Sequence, residues 1–397
     1  MILQAFDPVA ATAAYMATLS PEAHDKATRY TQGGHWLLLW GFLVTLAIAL
    51  VVVRSGVLVR VTGGLERGRP RRNLAVFVSA LVFGLIGFVL SLPWSAYAGW
   101  WRQKQYGLSS QPFADWLTQG AIGGLISIVA AAIFYIALYA LIRRARRFWW
   151  AWAGLVAAGF FVLAMLLAPT FIEPLFNKYT AAPTGQTRDA VVALAQKVGV
   201  PSDKIYIYNG SRQSNAYTAN VSGLGGAARV AMSDTMFAKG ADLAEVKGVV
   251  GHEMGHYARQ HVLWGTLFMT VMAVIGFFLV DRLFESAARL LGAKGVADVG
   301  DPAGLPVLGV ILAALSLIST PIQNTFSRWE EADADHFSLI HAHEPDGLSK
   351  ALVKTIEYRA SSPSDLEEFL FYDHPSVEHR VRAAMDWKAA HMSEVGR

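Results

Sequence analysis

Two histidines and a glutamate near the middle of the chain have the types and spacing of a metallopeptidase motif. His252-Glu253-Met254-Gly255-His256 is an H-E-x-x-H sequence. On a helix, positions i and i+4 lie on one face, so both imidazoles can reach a single ion. Glu253 projects beside them and can take a proton from a metal-activated water. The motif predicts one zinc ion per chain, held by His252 and His256, with Glu253 as catalytic base. The alternative is a surface helix that carries two histidines by chance.

A catalytic zinc needs a third protein ligand and an open fourth position for water. The acidic segment 327–335 offers candidates, but spacing alone does not separate Glu330 from Glu331. A helix places Glu331 and Asp335 on one face, so that one can bind metal while the other hydrogen-bonds a ligand imidazole or a reacting group. The alternative for this segment is a solvated acidic face at the start of a helix.

The segments that must position these residues are strongly apolar. Of the 397 residues, 54% are hydrophobic and only 16% are charged, whereas soluble folds carry about 25% charged residues. A membrane-spanning helix needs about 20 apolar residues, and six uncharged stretches meet this length. They are 34–53, 74–101, 117–142, 148–172, 262–280 and 303–326. Soluble helices normally show a polar face, so we predict an integral, multi-pass protein of a bacterial inner membrane or an equivalent one.

Cysteine content and charge exclude other classes of protein. The chain has no cysteine, which excludes disulfides, thiolate ligands and a cysteine nucleophile. Its net charge is +4, but the arginines cluster in short segments between apolar runs, as in loops that flank membrane spans. These segments lie at 67–72 and 143–147. We therefore expect a lipid bilayer and no nucleic acid as partner.

The polar segment between the fourth and fifth spans predicts a small α+β domain. An amphipathic helix is expected over 186–198 and strands over 204–208 and 228–233, with Gly223, Gly225 and Gly226 forming a turn. Asp242 begins a helical pattern that continues through the metal motif into the fifth span. Further helices are expected over 327–342, 346–358 and 377–390. The predicted fold class is an α-helical integral membrane protein of about six transmembrane helices with an inserted α+β zinc-protease domain.

The predicted domain boundaries follow from these segments. They are a polar N-terminal segment (1–33), a four-span region (34–172), a protease domain with the H-E-x-x-H helix (173–261), a two-span region (262–326) and a C-terminal helical part that completes the zinc site (327–397). His256 lies six residues before the fifth span and Glu331 five residues after the sixth. At about 1.5 Å per residue both lie roughly 7–9 Å outside the hydrocarbon. Consecutive spans are antiparallel, so both sites emerge at the same membrane face.

Several further motifs, together with H-E-x-x-H, resemble the type I CAAX prenyl proteases, the membrane gluzincins that include the yeast a-factor-converting enzyme. The resemblance covers nearly all of the chain after Gly33. Its motifs are Leu92-Pro93-Trp94-Ser95, Tyr106-Gly107-Leu108-Ser109, Pro174-Leu175-Phe176-Asn177-Lys178-Tyr179, Ser214-Asn215-Ala216-Tyr217, Ser327-Arg328-x-x-Glu331-x-x-Ala334-Asp335 and His374-Pro375-Ser376. Eukaryotic members have a further N-terminal span that residues 1–33 do not match, so we expect six spans rather than seven.

The resemblance implies roles for individual residues in the acidic segment and the C-terminal part. It implies that Glu331, rather than Glu330, is the third zinc ligand. Asp335 would be the acid that supports a ligand or donates a proton. His374 and Arg380 would face the developing oxyanion, where hydrogen-bond donors stabilise the transition state most.

The resemblance also implies how substrate binds. Asn215 and Ala216 would lie on an edge strand that pairs with an extended peptide. Substrates would be peptides or proteins, with lipidated ones among them, since the family trims C-terminal residues from prenylated proteins. A large membrane-enclosed chamber is the family's architecture.

Two alternatives to this function differ from it in class or substrate. One is a heat-shock-type membrane protease for quality control, which shares H-E-x-x-H and the downstream glutamate but is shorter and lacks the Pro174–Lys178 motif. The other is a non-proteolytic membrane scaffold with a structural zinc, which normally needs four protein ligands.

The orientation of the protein in the membrane also has two solutions. The positive-inside rule puts the arginine-rich loops in the cytoplasm and the zinc face outside, whereas the resemblance implies a cytosolic active site.

Overall fold

The computed structural model of the chain describes residues 6–67, 71–223, 228–355 and 359–396. The described residues are mostly helical. Their α-helices are α1 (Pro8–Met16), α2 (Pro21–Ser55), α3 (Val57–Glu66), α4 (Arg72–Ala96), α5 (Arg102–Gln105), α6 (Phe113–Ala145), α7 (Trp149–Leu167), α8 (Glu173–Phe176), α9 (Gln186–Val198), α10 (Asp234–Ala238), α11 (Leu243–Ala258), α12 (His261–Leu291), α13 (Leu305–Ala342), α14 (Pro345–Lys354), α15 (Asp365–Phe371) and α16 (Val377–Ala390).

Five helical runs among the described residues are long and apolar enough to cross a membrane. They are Pro21–Ser55, Arg72–Gln105, Phe113–Phe176, His261–Leu291 and Pro302–Ala342. The third run is 64 residues long and contains two of the six predicted spans. It folds back at Arg146, whose φ of 39° is left-handed. The rings of Phe134 and Phe160, on its two arms, are therefore only 5.3 Å apart. The prediction of a multi-pass helical membrane protein is confirmed, with the six stretches distributed over five runs.

The first membrane-length helix starts well before the apolar stretch. Ser20 caps α2 by accepting a hydrogen bond from the backbone N–H of Ala23, so the helix begins at Pro21 rather than near residue 34. Helix α1 precedes it and packs against α16. The Tyr15 hydroxyl of α1 also donates to Asp346 of α14 at 2.7 Å. The segment predicted as polar, 1–33, thus holds one short helix and the first turns of another; residues 1–5 lie outside the described part.

A four-stranded sheet forms the β part of the inserted domain. Its strands are β1 (Tyr179–Ala181), β2 (Ile205–Tyr208), β3 (Ala219–Ser222) and β4 (Arg229–Ser233), in the order β1-β2-β4-β3. Strands β2 and β4 are parallel, and the two outer strands are antiparallel to their neighbours. The predicted strands β2 and β4 and helix α9 are confirmed. Strands β1 and β3 were not predicted, because three or four residues are too few to show a period. The predicted glycine turn lies largely in 224–227, outside the described residues.

Helices α11 and α12 are separate, which corrects the prediction of one continuous helix from Asp242 into the fifth span. Helix α11 ends at Ala258, and Gln260 adopts a left-handed φ of 59° before α12 begins at His261. Neither glycine nor proline marks this break, so no residue near it predicted that the helix would end there. The start of the helix is as expected: Asp242 caps it by accepting from the backbone N–H of Glu245.

The C-terminal helices continue from the last membrane-length run. Helix α13 passes without a break from the predicted span, 303–326, into the acidic segment. Helices α14 and α16 are found close to their predicted bounds, although residues 356–358 lie outside the described part. The acidic residues are therefore carried on a rigid extension of the membrane bundle.

Candidate active site

The close crossing of α11 and α13 brings the two halves of the predicted site together. Two glycines of α11 make this approach possible. A Cβ at Gly255 would lie 3.1 Å from both the Cα and the carbonyl oxygen of Ala334, and one at Gly251 would lie 2.7 Å from Ser338 Oγ. That hydroxyl donates to the carbonyl of Gly248 at 2.7 Å, inside the same contact. Because α13 lies directly on α11, Glu331 faces the histidines of the motif.

His252, His256 and Glu331 have the geometry of a metal centre. The Nε2 atoms of the two histidines are 3.2 Å apart. Glu331 Oε2 lies 3.3 Å from His252 Nε2, and Oε1 lies 3.5 Å from His256 Nε2. Ligands about 2.0–2.1 Å from a tetrahedral zinc lie about 3.3 Å from one another. Among the described residues, none donates a hydrogen bond of normal geometry to the buried Oε2 of Glu331. An ion shared by these three groups fits both observations.

His252 is held in place from behind by Asp335. The Nδ1 atom of His252 lies 2.8 Å from Asp335 Oδ1. Arg380 clamps the same carboxylate, donating from Nε to Oδ2 at 2.6 Å and from Nη2 to Oδ1 at 2.7 Å. Burial by itself raises the pKa of Asp335, but the Arg380 guanidinium and the hydrogen bonds lower the pKa to about 2. The carboxylate is therefore ionised at neutral pH and accepts a hydrogen bond from the Nδ1–H of His252. This leaves His252 Nε2 available to bind metal.

Glu253 lies beside this centre in a cavity of about 250 Å³. Burial raises the pKa of Glu253, while the neighbouring His252 and His256 lower it in part. Burial favours proton uptake by a carboxylate because the charged form loses its hydration. This environment suits a group that accepts a proton during the reaction.

His374 and Arg380 also line the cavity, but they are engaged differently. The Nε2 atom of His374 lies 3.1 Å from Glu331 Oε2, and its Nδ1 lies 2.9 Å from Asp373. His374 thus sits at the mouth of the metal centre. Arg380 donates to Asp335 from two of its three nitrogens, Nε and Nη2, and Nη2 also lies 3.4 Å from His252 Nδ1. Its first role in this structure is therefore to hold that acid.

Asn215 and Ala216 do not lie on a strand, which corrects that part of the prediction. The edge strand β3 begins at Ala219, and both residues are in the loop before it. The backbone N–H and side-chain amide of Asn215 donate to the carbonyls of Leu108 and Gly107, each at 2.9 Å. These bonds tie the loop to the segment after α5 instead of to the sheet. Ala216 still lines the active-site cavity.

Two residues behind His256 were not predicted from the sequence. His261 lies against the back of His256, with 2.9 Å between their Nδ1 atoms, and Asp333 lies 3.1 Å from the other nitrogen of His261. The only signal in the sequence was a third histidine five residues after His256. On a continuous helix, position i+5 would point about 140° away, so the break at Gln260 was needed to reveal it.

The fold and the site together define the class of protein: a multi-pass membrane protein that carries a metallopeptidase domain. Comparison with known families gives the same result. The model of peptidase family M48 matches residues 181–388, and the model described as "CAAX prenyl protease N-terminal, five membrane helices" matches residues 8–178. The chain belongs to peptidase family M48.

Individual relatives span most of the chain. It is 28% identical to the uncharacterized metalloprotease YhfN of Bacillus subtilis, over 92% of this chain and 86% of that protein. It is 24% identical to the probable CAAX prenyl protease 1 of Schizosaccharomyces pombe, over 91% of this chain and 79% of the relative. The solved structure of Ste24p from S. mikatae superposes with a TM-score of 0.75 at 21% identity, covering 93% of this chain and 90% of that one. The protein is a membrane metalloprotease, and its predicted fold class and family resemblance are confirmed.

Proposed function

We propose that this protein is a zinc endopeptidase, with His252, His256 and Glu331 as ligands and Glu253 as general base. The observation that carries this proposal is the set of ligand-atom separations of 3.2–3.5 Å, with Glu253 in the same cavity. Two imidazoles and one carboxylate are a typical ligand set for catalytic zinc, which keeps its fourth position open. A structural zinc would need a fourth protein ligand, so the scaffold alternative is weaker.

The residues of the site divide the work of hydrolysis. Bound zinc would polarise the scissile carbonyl and activate the attacking water. Glu253 accepts the proton of that water and delivers it to the leaving amine. His374 Nε2 donates to the oxygen on which negative charge develops. Asp335 is a positioning residue for His252 rather than a proton donor, because Arg380 holds its carboxylate in the ionised form.

Substrate binds as an extended peptide against residues 216–219 and the outer edge of β3. Ala216 contributes its methyl group to the cavity wall, because its N–H already donates to Ser214 Oγ and its carbonyl accepts from Thr235. Asn215 supports this wall by anchoring its loop at Gly107. The cavity lining also includes Val249, Leu348, Ala351 and Leu352, which suits aliphatic side chains of the peptide.

The proposed substrates are C-terminal peptides of prenylated proteins. Relatives from fission yeast, budding yeast and Arabidopsis thaliana are named CAAX prenyl proteases, and the N-terminal family match carries the same name. These matches disfavour the heat-shock-type alternative. We expect no nucleic acid substrate, because the arginine clusters lie in loops beside membrane helices.

The function is tested by mass spectrometry of cleavage products. Purified wild type and Glu253→Gln are incubated with two peptides of the same sequence, one prenylated and one not. Wild type should release a C-terminal fragment, while Glu253→Gln should keep its zinc and lose cleavage at least about 100-fold, the lower range for a general base. Cleavage by Glu253→Gln at the wild-type rate would falsify the mechanism. Equal cleavage of both peptides would remove the lipid from the substrate definition and leave the peptidase intact.

A further inference from the structure

His256 has its own supporting chain, built from residues outside the H-E-x-x-H motif. His261 is only 4% exposed, and its ring meets that of His256 edge to face, with centroids 5.0 Å apart and an interplanar angle of 75°. The Nδ1 atoms of the two rings are 2.9 Å apart. The other nitrogen of His261, Nε2, lies 3.1 Å from Asp333 Oδ2. Three side chains therefore form a continuous line that starts at the metal centre.

The position of the metal centre fixes the direction of these hydrogen bonds. His256 Nε2 faces His252 and Glu331, so metal binding leaves the proton of His256 on Nδ1. Two Nδ1 atoms at 2.9 Å cannot both carry a proton, so His261 Nδ1 must accept. The proton of His261 is then on Nε2, where it is donated to the Asp333 carboxylate. Each nitrogen in the line is therefore either a hydrogen-bond donor or an acceptor, and His256 is the tautomer with its proton on Nδ1.

The fold builds this line at a specific break in the helices. Gln260, in the left-handed conformation, ends α11 and turns His261 at the start of α12 towards His256. Asp333 lies two residues after Glu331 on α13 and contacts His261 on the side that faces away from His256. Its carboxylate also lies 3.5 Å from Arg259 Nε, at the exposed end of the line.

We propose that His261 and Asp333 are positioning residues that fix the tautomer and ring orientation of His256 and thereby strengthen metal binding. The inference rests on the proposed function, in which His256 binds zinc. The two histidines of the motif would then be supported differently. Asp335, which is bound by Arg380, holds His252. The neutral imidazole of His261, which is oriented by Asp333, holds His256. Partners of this kind change metal affinity by about 10–100-fold when they are removed.

The test measures zinc affinity instead of activity. Full-length His261→Phe and His261→Gln are purified in detergent, and zinc binding is titrated in metal buffers alongside zinc release to a chelator. His261→Phe, which keeps the ring packing and loses both nitrogens, should bind zinc about 10–100-fold more weakly. His261→Gln should recover part of this loss, because its amide oxygen can accept from His256 and its amide nitrogen can donate to Asp333. His391→Phe is the matched control: His391 stacks on Trp387 away from the site and should keep wild-type affinity.

Asp333→Leu is an independent test, because it leaves the buried side chain of His261 in place. The Asp333 side chain is 29% exposed, so its replacement leaves the packing of His261 intact. It should weaken zinc binding less than His261→Phe, and the double variant should be no weaker than His261→Phe alone, because both changes cut one line. Wild-type zinc affinity in His261→Phe or Asp333→Leu, or a His261→Gln variant as weak as His261→Phe, overturns the proposal.

Failure of this inference is separable from failure of the proposed function. His252→Ala, which removes a proposed ligand, is measured in the same titration. If His252→Ala keeps wild-type zinc binding, the proposed metal centre is wrong. If it loses zinc while His261→Phe does not, the centre stands and only the supporting role of His261 is wrong.

Discussion

At the scale of single residues, the site depends on which of two adjacent acids meets the histidines. Glu330 and Glu331 are separated by about 100° around the helix, so only one can face α11. Glu331 lies 3.3 Å from His252 Nε2, whereas Glu330 is directed to the neighbourhood of Gly265 on α12. The proposed assignment of Glu331 as a metal ligand therefore depends on how α13 lies against α11.

Replacing these two acids tests the assignment directly. Glu331→Gln should lower zinc occupancy of the purified protein strongly, because an amide is a poor ligand for zinc compared with a carboxylate. Glu330→Gln, one residue away, should keep a full complement of metal. Elemental analysis after dialysis measures both. Equal zinc in the two variants would show that Glu331 is not a ligand.

The Asp335–Arg380 pair predicts a stability effect as well as a metal effect. Both side chains are almost fully buried, at 7% and 9% exposure, and breaking such a pair from one side costs about 3–5 kcal/mol because a buried charge is left alone. Arg380→Met should therefore lower the thermal unfolding temperature of the zinc-free protein. Adding Asp335→Asn, which removes the stranded charge, should recover part of the loss. Identical unfolding temperatures for wild type and Arg380→Met would mean that the pair does not stabilise the fold.

At the scale of elements, the decisive feature is how closely α11 and α13 approach. Gly255 allows the approach, since a Cβ there would be 3.1 Å from backbone atoms of Ala334. Glu331 is one turn from this point, so a displacement of a few tenths of an ångström is transmitted to the ligand. Precision at the centre thus depends on a glycine that makes no chemical contribution.

A single added methyl group tests this dependence. Gly255→Ala should destabilise the contact by about 1–3 kcal/mol through overpacking and should weaken zinc binding, as measured by metal titration. Gly87→Ala on α4 is the matched control, because among the described residues no atom lies within 4 Å of its added Cβ. The explanation fails if the two alanine variants bind zinc equally well.

At the scale of the whole molecule, the group formed by His252, His256 and Glu331 and the arginine-rich loops lie at opposite ends of the bundle. Helix α12 has 31 residues and is about 46 Å long at about 1.5 Å per residue, with His261 at one end. At its other end, a polar cavity of about 790 Å³ is lined by residues that include Arg143, Arg146 and Asp298. This length exceeds the hydrocarbon thickness of about 30 Å, so we expect the two ends of α12 to face different sides of the membrane.

Reporter fusions test this placement. A reporter after the C-terminus, on the zinc face, and one inserted in the loop 293–300 should be active in opposite compartments. A cytoplasmic C-terminal reporter agrees with the orientation that the resemblance implied, and a cytoplasmic loop reporter agrees with the positive-inside rule. Activity of both reporters on the same side would contradict the arrangement of α12 and α13 as neighbouring spans.

Features that depend on local spacing and composition could be predicted from the amino-acid sequence. Uncharged stretches predicted the membrane helices, the i, i+4 spacing predicted that His252 and His256 share a face, and motif resemblance selected Glu331. Each of these patterns lies within one continuous stretch of chain, so it can be recognised without knowing which other helices pack against that stretch.

How the helices meet could not be predicted from the sequence and became evident from their packing. Gln260, in the left-handed conformation, separates α11 from α12 and turns His261 towards His256. No glycine or proline in the sequence indicated this break. The commitment of Arg380 to Asp335 and the loop position of Asn215 and Ala216 likewise depend on contacts between residues far apart in the chain. These cases have one physical cause: an H-E-x-x-H motif fixes relative positions along one helix, whereas the contact of Glu331 with the histidines and the groups that support each histidine depend on packing between helices.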